Sequence, residues 1–197
     1  KCPTSRYGNP EDLLEVNGGL WSREHLQYCS MFADAAKHIS FNERSVICEL
    51  GPGMGRNIEV MAHLLPEATF LVFDIAPQLY ISNAYLQAVF GSRVIPYRDA
   101  VSLKPGPEQG KGKIILLPSW KMPEWASFKI DVFWNSASFQ EMEPDVVLNY
   151  LRLVNQMRPE KIYIHAMPKG NYWGEWKPGR GGTKAPVEEL YYWEGLN

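Results

Sequence analysis

Cysteine is scarce in this chain: three in 197 residues, Cys2, Cys29 and Cys48, an odd number with no CxxC pair. That excludes a disulfide framework and the usual structural zinc spacings, and it makes Cys48, set in an apolar run, a small buried hydrophobe. Long apolar runs are also missing. Stretches such as 114–118 fall far short of the ~20 residues that span a bilayer, so no membrane partner is expected. Charge of one sign is missing too. Lys and Arg number 20 against 22 Asp and Glu, for a formal net charge of −2. That balance leaves no footprint for sequence-independent binding to nucleic acid. No internal repeat is visible. The opening Lys1-Cys2-Pro3 turns polar at once, unlike a signal peptide, so the cytoplasm is the expected compartment.

What the chain does have is ordinary for a folded domain: 45% hydrophobic and 13% aromatic residues in a length that suits one domain. Residues 1–20, rich in Gly, Pro and Asn, predict a loop or arm, and 22–38 a helix with Ser22 as N-cap and Leu26, Cys29, Met31, Phe32, Ala35 and Ala36 near one face. An alternation follows. Buried strands are expected at 45–50 (SVICEL), 69–73 (TFLVF), 93–97 (RVIPY), 129–134 (KIDVFW) and 161–167 (KIYIHAM), with a short extra one at 114–117. Helices are expected at 56–65, 77–90 and 144–157, the last two with proline in the first turn. Alternating strands and helices imply βαβ units, hence an α/β fold with a mostly parallel sheet covered on both faces. The expected organisation is an arm and helix over 1–40, the α/β domain over 41–170, and an aromatic-rich Gly/Lys/Pro tail over 171–197 with a short helix at 188–193.

The most informative stretch is Glu49-Leu50-Gly51-Pro52-Gly53-Met54-Gly55, between the first of these strands and its helix. In open α/β sheets ligands bind beyond the carboxyl ends of the strands, and glycines there let the backbone turn sharply and approach a ligand. A dinucleotide loop reads GxGxxG. Here the third glycine comes one residue early, as GxGxG, followed by Arg56. Preceded by an acid, that spacing resembles the first motif of the class I S-adenosylmethionine-dependent methyltransferases. The resemblance implies a Rossmann-like fold and S-adenosylmethionine as cofactor, with S-adenosylhomocysteine as product. It makes Glu49, Gly51, Pro52, Gly53 and Gly55 cofactor-binding candidates. Asp74, about twenty residues past the loop, suits ribose hydroxyls, with Ile75 beside it. Asp99, with Ala100, stands where such enzymes place an acid against the adenine amino group. Asn135, at the end of the fourth strand, either lines the pocket or caps a turn.

A closer resemblance rests on 47–61 (ICELGPGMGRNIEVM), 73–90 (FDIAPQLYISNAYLQAVF) and 131–144 (DVFWNSASFQEMEP). Over roughly 46–169 the chain resembles a family of sugar O-methyltransferases. That implies methyl transfer to a hydroxyl of a small saccharide or glycoside. One departure is plain: the full class I sheet has seven strands, and no sixth or seventh is expected after Met167.

A sugar hydroxyl is a poor nucleophile, so a general base is sought. Glu141, a few residues past the fourth strand, is the first candidate and His165 the second. Glu143 and Asp145 suit the start of the helix at Pro144, where acids complement the dipole, and His25, His38 and His63 read as structural or exposed. Glu141, Glu143 and Asp145 could form an oxygen-rich cation site, but no metal is expected. The tail aromatics Tyr172, Trp173, Trp176, Tyr191, Tyr192 and Trp193 suit a substrate lid and equally a core or a subunit interface, so a homo-oligomer stays open. Two alternatives remain: a degenerate methyltransferase fold that binds the cofactor without turnover, and an NAD(P)-dependent oxidoreductase. Against the second stand the glycine spacing and the lack of a suitably placed Tyr-x-x-x-Lys pair.

Overall fold

The computed structural model describes residues 4–106 and 110–167. The chain runs β1 (Leu13–Val16), β2 (Gly19–Ser22), α1 (Arg23–Ala35), β3 (Val46–Leu50), α2 (Arg56–Leu64), β4 (Thr69–Asp74), α3 (Ala76–Phe90), β5 (Val94–Ile95), α4 (Tyr97–Ala100), β6 (Ile114–Pro118), α5 (Met122–Trp125), β7 (Val132–Ser136), α6 (Pro144–Met157) and β8 (Lys161–His165). Six strands form one sheet in the order β5-β6-β4-β3-β7-β8, and every pairing in it is parallel. The fold is α/β and Rossmann-like, as the alternation requires.

The continuous apolar runs are explained by burial on both faces. Alternate residues of the inner strands go to opposite layers. Ile47, Phe70, Val72 and Trp134 pack with Met31 of α1, Ile58 and Met61 of α2, and Leu79 and Leu86 of α3. Cys48, Leu71, Phe73 and Phe133 pack with Ala100 of α4, Trp125 of α5, and Val147, Val154 and Met157 of α6. Cys48 is fully buried, as its place in an apolar run predicts. The α1 helix starts where expected, with Ser22 Oγ accepting from the His25 amide at 3.0 Å.

Three sequence expectations need correction. The expected third strand at 93–97 shrinks to the two residues of β5, because Pro96 has no N–H to extend the ladder. The "short extra" strand is instead β6, buried at all five positions, and it sits between β5 and β4. Residues 1–20 are also not all loop. β1 and β2 pair antiparallel around Asn17-Gly18, both at positive φ. Asn-Gly is the strongest short-range hairpin signal, and it was legible in the sequence. The segment from 168 onward lies outside the described residues. With it go the tail aromatics, the short helix at 188–193 and the question of a sixth or seventh class I strand.

Candidate functional site

In the sheet order, β3 connects to β4 on one side while its other neighbour, β7, is reached later in the chain. The crevice beyond the carboxyl ends of β3 and β7 is therefore a topological switch point, the place where open α/β sheets bind ligands. The glycine loop leaves β3 into this crevice. The Gly51 amide donates to Phe73 O at 2.8 Å, and the Gly55 amide to Pro52 O at 3.1 Å.

Gly51 has φ +74°, and a Cβ there would fall 2.4 Å from Ser138 Cβ. Only glycine fits between the β3 turn and the loop after β7. Gly53, at φ +60°, has nothing within 4 Å of a would-be Cβ, so its backbone borders open space. The opposing loop is built from Asn135 and Ser138. Asn135 is fully buried; its Nδ2 donates to Leu50 O at 3.0 Å and Ser138 Oγ at 2.6 Å, while its Oδ1 accepts from the Phe139 amide at 3.3 Å. Ser138 Oγ donates to Leu50 O at 2.9 Å. Asn135 thus fastens the two loops together, with its amide fully used. Between them Ala137 takes φ +66°, a left-handed conformation that non-glycine residues seldom hold and that tends to gather at functional sites.

Asp74 ends β4 and is buried. Its Oδ2 accepts from the Gly53 amide at 3.1 Å and its Oδ1 from the Ile75 amide at 2.7 Å. Burial pushes this carboxyl above its ordinary range, and the negative charge of Glu141 adds to the push, while the two amide bonds pull it down. Asp74 is thereby a strut for the glycine loop, with lone pairs left on each oxygen. Glu49 lies 1% exposed in β3. Its Oε1 accepts from Asn57 Nδ2 at 2.9 Å, but Oε2 finds no hydrogen-bond partner. Burial raises its carboxyl to about 8, with the hydrogen bond from Asn57 opposing and the charge of Asp74 assisting.

The remaining sequence-predicted residues occupy the same rim at different depths. Glu141 ends a single 3-10 turn, Phe139–Glu141, and is exposed, near enough to Asp74 to act on its charge. His165 is exposed at the end of β8, and its carbonyl accepts from the Ala137 amide at 2.7 Å. Asp99 is exposed in α4, after the edge strand β5, while Ala100 is buried. Because β6 intervenes, Asp99 is not at the strand end next to Asp74. That neighbour is Pro118, in register with Asp74, followed by Ser119 and a largely exposed Trp120. Ile75, next to Asp74 in the chain, is exposed and sets apolar surface there. A cavity of about 340 Å³ opens between α3 and α4, lined by Ala76, Leu79, Tyr80, Asn83, Tyr97 and Arg98.

Two contributors were not singled out in the sequence: Asn57 and Ser138. Ser138 takes its role from Leu50, 88 positions away, and Asn57 from Glu49, eight positions back across the glycine loop. Among the described residues no cluster of three or more His, Cys, Asp or Glu could hold a metal ion. No helix among them is long and apolar enough to cross a membrane.

An electrostatic network ties the N-terminal segment and α1 to the loop's helix. Arg56, the first residue of α2, pairs with Glu24 at 3.0 Å and lies 5.6 Å from the Tyr85 ring centroid. Glu59 accepts from the Ser5 amide at 2.9 Å and from Tyr85 Oη at 2.5 Å, and faces His25 at 3.7 Å. Buried His25 is structural, as expected.

No family model matches the chain, and no curated protein matches it in sequence. Solved structures similar to it include the methyltransferase domain of bacterial CtHen1, at 13% identity and a TM-score of 0.49, covering 86% of this chain and 81% of that one. The mitomycin 7-O-methyltransferase MmcR is similar at 12% identity and a TM-score of 0.47, covering 84% of this chain and 45% of that one. The pyocyanin biosynthetic protein PhzM is similar at 14% identity and a TM-score of 0.47, covering 81% of this chain. This chain spans 46% of the length of PhzM, 43% of an echinomycin biosynthesis protein and 20% of PKMT2 from Rickettsia typhi. Likeness at this level carries no statement about activity or substrate.

Proposed function

We propose that this chain is an S-adenosylmethionine-dependent O-methyltransferase whose acceptor is a hydroxyl of a sugar or glycoside. The observation that carries the cofactor reading is the loop at the switch point. Its glycines face open space at Gly53, its shape is held by Asp74, and a buried oxygen of Glu49 stands without a donor. Those features fit an amino-acid nucleoside. Ribose hydroxyls can donate to the lone pairs left on Asp74, and an ammonium can donate to Glu49. Gly51, Pro52 and Gly55 set the loop path, Ile75 offers apolar surface to a planar base, and Asp99 is exposed on α4, whereas Ala100 is buried in the core.

When bound, S-adenosylmethionine supplies a methyl group on a sulfonium, already electrophilic. The chain's own task is alignment of the acceptor oxygen, an effect worth about 7–11 kcal/mol when geometry is right. Glu141, exposed on the rim within electrostatic reach of Asp74, is the proposed base that takes the hydroxyl proton, and His165 on the neighbouring strand end is the second candidate.

Calorimetric titration with S-adenosylhomocysteine, and with NADH as a control, tests the cofactor. Micromolar binding of the first and none of the second is expected, and the reverse would make the chain an oxidoreductase. Radiolabelled methyl transfer onto a panel of saccharides tests the reaction. Glu141→Gln is expected to lower turnover at least 100-fold with S-adenosylhomocysteine affinity unchanged. Undiminished turnover would remove Glu141 from the reaction, and a chain that binds the cofactor but methylates nothing in the panel would favour the non-catalytic reading.

A further inference from the structure

Two buried acceptor oxygens lie on side chains already joined to each other: Glu49 Oε2 and Asn57 Oδ1 have no hydrogen-bond partner, while Asn57 Nδ2 donates to Glu49 Oε1 at 2.9 Å. Both residues are 1% exposed. Buried acceptors without donors are costly and rare, and a carboxylate buried without a cation is costlier still. Among the described residues, the groups that act on Glu49 or feel its charge are Tyr28 of α1, Asp74 of β4, Cys48 of its own strand and Asn57 of α2, none of them a cation, and Arg56, which acts on Tyr28, is paired with Glu24. Two of these are acids or weak acids that burial keeps neutral, and Asp74 is repulsive. The only inexpensive state of Glu49 in the unliganded chain is the neutral carboxylic acid.

We propose that Glu49 and Asn57 together form a receptor for an ammonium group that exchanges a proton for the ligand: the carboxylic acid gives its proton to solvent as the ammonium arrives. The O–H bond of Glu49 breaks, the proton goes to buffer, and the carboxylate keeps the electron pair and accepts an N–H from the ligand. Asn57 Oδ1 accepts a second N–H. No oxidant or further reactant is needed. Burial that raises the Glu49 carboxyl to about 8 sets the range in which the exchange is complete. The proton is therefore held through neutrality and is lost as pH rises through that value. The inference rests on the cofactor reading above and adds Asn57 and a proton stoichiometry to it.

The test is calorimetry of the whole chain with S-adenosylhomocysteine at pH 7, in phosphate and in Tris. Release of a proton makes binding more exothermic in Tris, whose protonation gives out more heat. Release of close to one proton is expected at pH 7, declining as pH rises through the Glu49 value. 5′-Methylthioadenosine, which has the nucleoside but no ammonium, is expected to bind with equal heats in the two buffers. Glu49→Gln is expected to bind S-adenosylhomocysteine without buffer dependence, and Asn57→Ala to bind it at least tenfold more weakly with proton release intact. The wild-type buffer comparison needs no variant, so it decides even if a substitution unfolds the chain. Binding with identical heats in both buffers would overturn the proton exchange while leaving the cofactor reading standing. No binding of either nucleoside would overturn both.

Discussion

Replacing Gly51 by alanine should damage this protein far more than the same change at Gly53, although both glycines sit in one loop at positive φ. At Gly53 the cost is conformational alone, about 1–2 kcal/mol for holding a Cβ in left-handed backbone, because the would-be Cβ meets nothing within 4 Å. At Gly51 the same cost applies, and in addition the Cβ lands 2.4 Å from Ser138 Cβ and 2.5 Å from its Oγ. Ser138 must move, and with it go its bonds to Leu50 O at 2.9 Å and Asn135 Nδ2 at 2.6 Å, each worth about 0.5–1.5 kcal/mol. The expected losses are about 3–5 kcal/mol for Gly51→Ala and about 1–2 kcal/mol for Gly53→Ala. With a urea m-value of about 2 kcal/mol per molar, the two variants should unfold at midpoints about 1–1.5 M apart. Equilibrium urea unfolding followed by tryptophan fluorescence measures this. Ser138→Gly removes the obstructing Cβ, so Gly51→Ala should cost at least 1 kcal/mol less in that background than in the wild type. Equal midpoints for the two alanine variants, or no coupling to Ser138, would refute the contact across the switch point.

Other perturbations follow from the same reasoning. Burial works to raise the Glu59 carboxyl, but hydrogen bonds from His25, Tyr85 and the Ser5 amide prevail and hold it below its ordinary 4.5. A depressed acid contributes stability that is present above pH 4.5 and lost as pH falls through its folded value, so Glu59→Gln should flatten the acid limb of a stability–pH profile below pH 4.5 and leave its shape near neutrality unchanged. Arg93 donates to four backbone carbonyls, Ala62 O at 2.7 Å, Leu65 O and Gly112 O at 3.0 Å, and Ala68 O at 3.1 Å, which closes the end of α2. Arg93→Ala should therefore cost about 3 kcal/mol, seen as a fall of about 6–12 °C in Tm. Arg93→Lys should recover less than half of that, since one ammonium cannot span the four acceptors. A Tm within 2 °C of wild type for Arg93→Ala would contradict the role.

Much of the architecture is written locally. The apolar runs at 45–50 and 69–73 became β3 and β4 because a parallel strand buried on both faces needs no polar alternation. Pro144 opening α6 and Ser22 capping α1 are likewise local signals, satisfied within a few residues. The GxGxG spacing marked the loop, and Asp74 was placed at the carboxyl end of its strand. By itself the sequence therefore determined the α/β class, most helices and strands, and the rim on which a ligand site would lie. The order of strands was decided only in three dimensions. Nothing near 114–118 says that this segment enters between β4 and β5, because pairing partners are chosen by what can be covered on both faces. That choice separated Asp99 from Asp74 and brought Pro118 beside Asp74. The pairing of Gly51 with Ser138, 87 positions apart, is likewise tertiary. Whether a carboxyl is a solvated anion or a buried acid depends on what surrounds it. Those surroundings are assembled from strands and helices distant in sequence, so only the folded chain fixes its charge.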